Sequence, residues 1–278
     1  MNKKRMYIMP KIINYSKNSF KKWTVAISHW KSEDFLFWQL KLLYDFHNPS
    51  EFELLIFDSM FPVDDLEVLE NLIQPYRHHQ NIKIFQWENI IEKGIPHGSE
   101  MNILLQNANS KYILFNDPDC FWFAKSYLNF LSKFLEHAFK VVGVQHNKMV
   151  GPAIWGSAYH LSDIKNCDLQ ATWFLCENCG KNMMAPMQDT GWQLHVKTNH
   201  LPTFIFDTHF CQLPNLGKIN SYRRENYQGY KYKNEMIAIH FFRGIYSTEE
   251  PSEKTPEAWK KARFDYGKYF YENLKQIY

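Results

Sequence analysis

The sequence predicts an α/β protein: a mostly parallel central sheet with helices on both faces, followed by a less regular C-terminal region. Three observations predict it. Over roughly the first half of the chain, short β-branched or aromatic runs alternate with segments whose apolar residues recur at helical spacing. Hydrophobic residues make up 45% and charged residues 22% of the composition, with 22 Phe, 9 Trp and 16 Tyr, which excludes wholesale disorder. At roughly 150 residues per domain, the 278 residues allow one large domain, or one domain with an appendage.

The elements follow in order. Residues 23–28 (WTVAIS) read as a strand, and residues 33–44 (EDFLFWQLKLLY) as a helix with acids in its first turn, where they favour the helix dipole. A second cycle runs from a strand at 52–57 (FELLIF) through the break at Asp58-Ser59 to a helix over 62–76 that Asp64 and Asp65 lead in. A third strand, 81–87 (NIKIFQW), precedes a loop punctuated by Gly94, Pro96 and Gly98 and a helix over 100–108. Then come a strand at 111–116 (KYILFN), a helix over 125–139 and a strand at 140–144. Such alternation implies parallel strands buried on both faces, and open sheets of this kind take ligands beyond the carboxyl ends of their strands.

From about His146 the pattern loosens. A short helix is expected around 192–197, a late strand at 236–242 (MIAIHFF), and a final helix over 256–278 interrupted by Gly267. The division read from this is a basic leader at 1–22, an α/β part at 23–145, a less regular part of the same domain at 146–250, and a C-terminal helix at 251–278.

The charge balance, 32 Lys+Arg against 29 Asp+Glu, is +3, too small to make nucleic acid the expected partner. The bias is local: Lys3, Lys4, Arg5, Lys11, Lys17, Lys21 and Lys22 occur with no acid among them. That segment is either a solvated leader or a peripheral contact for an anionic membrane face. No run approaches the roughly 18 apolar residues of a membrane span, and the N-terminus lacks the apolar centre of a secretory signal, so a cytoplasmic protein is expected. Five cysteines are an odd number, better suited to reduced thiols or a metal site than to a disulfide framework.

The most informative residues are Asn116-Asp117-Pro118-Asp119. They follow an apolar strand and place two carboxylates where an open sheet keeps its ligand, and Pro118 stiffens the turn between them. Hard divalent cations such as Mg²⁺ and Mn²⁺ take oxygen ligands and keep positions open for phosphates. Two acids around a proline also occur in ordinary surface turns. Their context here is a pair of preceding βα cycles, an acid (Asp58) at the end of the second strand, and a helix opening Gly98-x-x-x-Asn102.

With these motifs in this order, residues 23 to about 245 resemble the nucleotide-sugar glycosyltransferases of the GT-A fold, a Rossmann-like architecture, and most nearly the inverting family 2. The resemblance rests on FELLIFDS, HGSEMNILLQNANSKYILFNDPD, Gln188-Asp189-Thr190-Gly191-Trp192 and IHFFRG (residues 239–244). It implies that Asp58 accepts a hydrogen bond from the nucleotide base, with Ser28 beside that base and Asn102 also on the donor side. It implies that Asp119 ligates a cation bridging the donor diphosphate, with Asp117 nearer the ribose or a metal-bound water. His240 would complete the metal shell and Arg243 would neutralise a phosphate. Asp189 stands where the family's general base stands, although Gln188 replaces the acid that normally precedes it, and Asp189 also reads as a plain helix N-terminal acid. Trp192 is the candidate acceptor-stacking residue. The implied reaction moves a sugar, from a UDP-sugar by default, to a hydroxyl of a glycan, lipid-linked or protein acceptor, with inversion.

The residue types suit that chemistry. A departing nucleoside diphosphate develops negative charge that a cation and a guanidinium stabilise without proton transfer. The attacking hydroxyl needs a carboxylate to remove its proton, a contribution of about 10² to 10⁴ in rate.

A second constellation, Cys176-x2-Cys179 followed after fifteen residues by His195-x4-His200, falls within the spacing of structural zinc sites. The segment between the pairs contains Pro186 rather than a finger's helix, and buried reduced cysteines are common in cores. Walker, dinucleotide-binding and Gly-x-Ser-x-Gly motifs are absent. The competing classes are a metal-dependent nucleotidyl or phosphoryl transferase using the same Asp pair, and a sugar-binding protein without activity.

Overall fold

The elements were assigned on a computed structural model, which describes residues 10–17, 19–29, 32–59, 64–87, 97–145, 152–169, 173–175, 182–184, 192–210, 227–241 and 256–274. In chain order the strands are β1 (Lys11–Ser16), β2 (Lys21–His29), β3 (Phe52–Asp58), β4 (Asn81–Gln86), β5 (Ser110–Asn116), β6 (Cys120–Trp122), β7 (Val141–Gln145), β8 (Pro152–His160), β9 (Trp173–Leu175), β10 (Asn182–Met184), β11 (Thr203–Phe210), β12 (Tyr227–Tyr232) and β13 (Glu235–Phe241). The helices are α1 (Glu33–Phe46), α2 (Asp64–Ile73), α3 (His97–Asn107), α4 (Tyr127–His137), α5 (Leu161–Ile164), α6 (Trp192–Thr198) and α7 (Pro256–Glu272).

Among the described residues, eleven strands form one mixed sheet in the order β1-β4-β3-β2-β5-β8-β7-β11-β12-β13-β6, and β9 and β10 form a separate hairpin. The central block β4-β3-β2-β5 is wholly parallel, as the strand–helix alternation requires. The chain builds outward from β2 to β4 and then returns past β2 to lay down β5, so the direction reverses between β2 and β5. A crevice opens at such a switch point, at the carboxyl ends of the strands.

The two faces of this block are covered by different helices, as the sequence predicts. Val25, Ile27, Leu54 and Ile56 face Leu36, Leu40 and Leu43 of α1, Leu69 and Ile73 of α2, and Leu131 of α4. The alternate residues Ala26, Leu55 and Phe57 face Met101, Leu104 and Leu105 of α3, with Ile164 of α5 and Leu194 of α6. Strand side chains alternate between faces, so every residue of β3 is buried and the strand reads as a continuous apolar run.

The connection of β5 to β6 determines the rest. β5 lies mid-sheet and β6 at its end, yet only residues 117–119 join them, a reach of at most about 14 Å. The β11-β12-β13-β6 arm therefore curls back, and its last pair lies at the carboxyl end of β5. Helix α7 covers that arm: Tyr266 and Phe270 pack with Phe35 and Trp38 of α1, Phe121 of β6 and Ile239 of β13.

Several expectations are corrected. Residues 11–16 belong to the segment read as a leader, but they form β1, antiparallel to β4, with Ile13 and Tyr15 packed on the core and Ile12 exposed. The helix expected over 62–76 is α2 followed by a 3-10 turn over Gln74–His79, because Pro75 withholds the donor that would continue the α-helix. Gly267 does not interrupt α7. It is where α7 meets α1: a Cβ there would lie 2.2 Å from Trp38 Cδ1, so only glycine admits the indole.

Candidate metal centre

Asp117-Pro118-Asp119 is the turn between β5 and β6, and side chains from three elements hold it. The backbone N–H of Cys120 donates to the Asp117 carbonyl at 2.9 Å. Asn116 donates from Nδ2 to the carbonyls of Asp117 and Cys120, both at 3.1 Å, and accepts from the Trp122 indole at 3.0 Å. Gln39, buried on α1, donates from Nε2 to the Pro118 carbonyl at 3.3 Å and also to the Cys120 carbonyl. The turn is thereby fixed independently of any ligand.

His240 arrives through sheet pairing. In the antiparallel register of β13 with β6 it stands opposite Cys120, which sets its Nε2 at 3.2 Å from Asp119 Oδ1 and 3.8 Å from Asp117 Oδ2. Asp119 and His240 are buried and Asp117 is half-buried. Burial, together with the neighbouring Asp119 charge, pushes the Asp117 carboxyl up to about 7, against the opposing pull of His240. Burial alone would disfavour the imidazolium of His240, but the Asp119 and Asp117 carboxylates outweigh it and hold the ring above its ordinary value.

One ligand atom from each of Asp117, Asp119 and His240 can be chosen so that all lie within 4.8 Å of one another. Two carboxylates and an imidazole make a donor set suited to Mn²⁺ or Mg²⁺. The raised Asp117 carboxyl marks negative charge that the chain itself does not fully neutralise, which a divalent cation would relieve. The residues fit the metal that the sequence suggests.

A second polar cluster occupies the carboxyl ends of β2, β3 and β4. Asp58 accepts from Gln86 Nε2 at 2.7 Å, and its other oxygen lies 3.3 Å from His29 Nδ1. Ser28 Oγ donates to Glu100 Oε2 of α3 at 2.7 Å. Burial drives the Glu100 carboxyl up to about 7, against hydrogen bonds from Ser28 and Ser59, while the nearby Asp58 charge raises it further. Ser28 and Asp58 thus stand at the strand ends where the sequence puts them, with protein partners already in place.

Asn102 is different. Its Nδ2 donates to Asp168 Oδ1 at 2.6 Å and its Oδ1 accepts the Leu169 N–H at 2.7 Å, so it ties α3 to the segment after α5. Asp189, Arg243, Cys176 and Cys179 lie outside the described residues. Trp192 is the first residue of α6, and its side chain lies outside the description. Of the four proposed zinc ligands only His195, in α6, and His200, just beyond it, are described, and the zinc reading gains no support. Phe121 and Trp122 are core residues beneath the metal turn.

Sequence reasoning missed Gln39, His29 and Glu100, and it singled out Asn116 without its role. That role could have been found, since an asparagine leading into a turn readily bonds its backbone. Gln39 carried a signal too, as a polar residue amid the apolar positions of an amphipathic helix. Among the described residues, no helix is long and apolar enough to cross a membrane.

Fold and site together define a class: an α/β sheet with a carboxylate–imidazole cluster that could hold a cation, at the carboxyl end of a parallel strand beside its switch point. No protein-family model matches the chain, and no curated protein matches it by sequence. Solved structures do. "S. aureus TarS 1-349 in complex with UDP-GlcNAc" is similar over 66% of this chain and 55% of its own, at 18% identity and a TM-score of 0.48. The mannosyltransferase PcManGT from Pyrobaculum calidifontis, in complex with GDP-Man and Mn²⁺, is similar over 98% of this chain and 76% of its own, at 11% identity and a TM-score of 0.48. The glycosyltransferase GlyE of Streptococcus pneumoniae is similar over 93% and 65%, at 11% identity and a TM-score of 0.46. The chain spans about half the length of the TarS 1-349 structures, 50% in one and 55% in another.

Proposed function

We propose that this chain is a GT-A glycosyltransferase that moves a sugar from a nucleoside-diphosphate sugar to an acceptor hydroxyl, with inversion and with a divalent cation. The observation that carries the reading is the convergence of Asp117, Asp119 and His240 at the sheet's carboxyl end, from a turn and a strand far apart in sequence. The motif order in the sequence supports it independently.

Asp119, Asp117 and His240 would hold Mn²⁺ or Mg²⁺. When bound, the cation neutralises charge developing on the departing diphosphate. Arg243 lies three residues beyond His240 and adds a guanidinium to the same task. Ser28 and Asp58 form the nucleobase end of the donor site, their carboxylate and hydroxyl oriented by His29, Gln86 and Glu100. Asp189 removes the proton of the attacking hydroxyl, and Trp192 stacks on the acceptor. UDP-sugar is the default donor; the acceptor is a glycan, a lipid-linked sugar or a protein. The basic N-terminal segment, with exposed Phe20 and Ile12 nearby, supports peripheral contact with an anionic membrane.

The test is product analysis. Incubation with a panel of sugar nucleotides and Mn²⁺ should release nucleoside diphosphate, and release of pyrophosphate or monophosphate would assign the chain to nucleotidyl or phosphoryl transfer instead. Asp189→Asn should keep donor affinity and lose transfer by about 10² to 10⁴. Turnover of that variant at the parental rate would remove Asp189 from the mechanism.

A further inference from the structure

We infer that Gln39 is the positioning residue of the cation cradle, and that α1 sets metal affinity through it. The inference rests on the proposed cation site but concerns a residue outside its ligand set. Gln39 lies in the middle of α1, some eighty positions before the turn it supports, and is 1% exposed. Its Nε2 donates to two carbonyls of one turn, Pro118 and Cys120, which bracket Asp119. Those carbonyl contacts define where the Asp119 backbone sits, and with it the carboxylate that approaches His240 most closely.

The neighbours of Gln39 explain why it can act as a fixed strut. Trp38, the preceding residue, is locked against Gly267 of α7, and Phe35 packs edge-on to Phe121, the residue after Cys120, with ring centroids 5.5 Å apart. One apolar cluster joins α1, α7, β6 and β13, the strands that bring His240 to the aspartates. The strut and the two sides of the cradle therefore share a single support. Groups that orient metal ligands without touching the metal typically control affinity by 10- to 100-fold.

The test is Mn²⁺ binding, with no sugar nucleotide present, by calorimetry on the full chain. Gln39→Met keeps the side-chain volume and removes both donors. It should weaken Mn²⁺ binding about 10- to 100-fold while secondary structure by circular dichroism is retained. Gln39→Leu, which has neither donor nor charge, should weaken it as much. If both variants bind Mn²⁺ as the parent does, the inference fails and the cation site stands. If the parent itself binds no Mn²⁺, the proposed function fails first. Should neither variant fold, the side-chain amide protons of Gln39 in the parent decide the matter by NMR. Slow exchange with solvent that slows further on adding Mg²⁺ supports the strut, and exchange unaffected by Mg²⁺ overturns it.

Discussion

Among the described residues, two clusters of acidic side chains lie at the carboxyl end of the sheet, and they are built on opposite principles. Around Asp58 and Glu100 the carboxyl groups have hydrogen-bond donors from the chain itself: Gln86 on one, Ser28 on the other, with His29 Nδ1 3.3 Å from Asp58. Around Asp117 and Asp119 a single imidazole faces two carboxyl groups, at 3.8 and 3.2 Å, while the strong donors, Asn116 and Gln39, go to backbone carbonyls instead. The carboxyl groups of the first cluster are hydrogen-bonded by the chain itself. In the second the backbone of the turn is fixed, and the proposed cation would be held by the carboxylates and the imidazole. Buried charge costs several kcal/mol unless compensated, so the way a carboxylate is partnered separates a hydrogen-bonding cluster from a candidate metal site better than its burial does.

The largest expected effect tests that separation directly. Asp119→Ala should reduce Mn²⁺ affinity more than 100-fold, on the order of 3 kcal/mol, whereas Asp58→Asn should leave Mn²⁺ affinity within about twofold. Calorimetry on the two variants checks both, and equal losses would merge the two clusters into one site.

A smaller effect concerns pH. The Glu100 carboxyl is raised to about 7 in the folded protein from an ordinary 4.5, so between these values the folded chain holds a proton that the unfolded chain has released. Stability therefore falls as pH rises through that window. Glu100→Gln still accepts from Ser28 and has no charge to bury. It should unfold at higher temperature than the parent at pH 8, by an amount corresponding to about 3 kcal/mol, and should lose the decline between pH 5 and 7. Thermal melts across pH 5 to 8 measure this, and a parent-like slope in the variant would assign the decline to another group.

The smallest effect sharpens the boundary of the site. Asn102 engages Asp168 and Leu169, so Asn102→Ala should cost about 1 to 2 kcal/mol in stability and leave nucleotide affinity within about twofold. A selective loss of nucleotide affinity would support the donor-side place that the family resemblance implies for Asn102.

The parallel half of the fold was readable because its signals are local. Runs such as FELLIF and KYILFN are too apolar to lie anywhere but between two helical layers, and the observed β3 and β5 differ from the expected strands by one residue at one end. The returning arm gave weaker signals. β12 reads YQGYKY, polar and glycine-containing, and β8 carries Gly156 at mid-strand. Both look like loop in isolation and become strands because a neighbour satisfies their backbone groups. At Gly267 the local rule was overridden by packing against one indole. In the site, Asp117 and Asp119 were legible as chemistry, and His240 only through the family resemblance. Glu100 and Gln39 were not, because an acid in the first turn of a helix and a glutamine in its middle are ordinary helix residues until the fold closes over them.

The sequence by itself determined the strand–helix order, the alternating faces of the central sheet, and the rigid Asp-Pro-Asp turn at the end of β5, since each depends on residues close along the chain. Only the tertiary structure decided that the last strands curl back to set His240 beside that turn, and that a glutamine of the first helix braces it. Those outcomes depend on contacts between residues 80 to 230 positions apart, whose geometry arises from packing rather than from any local preference.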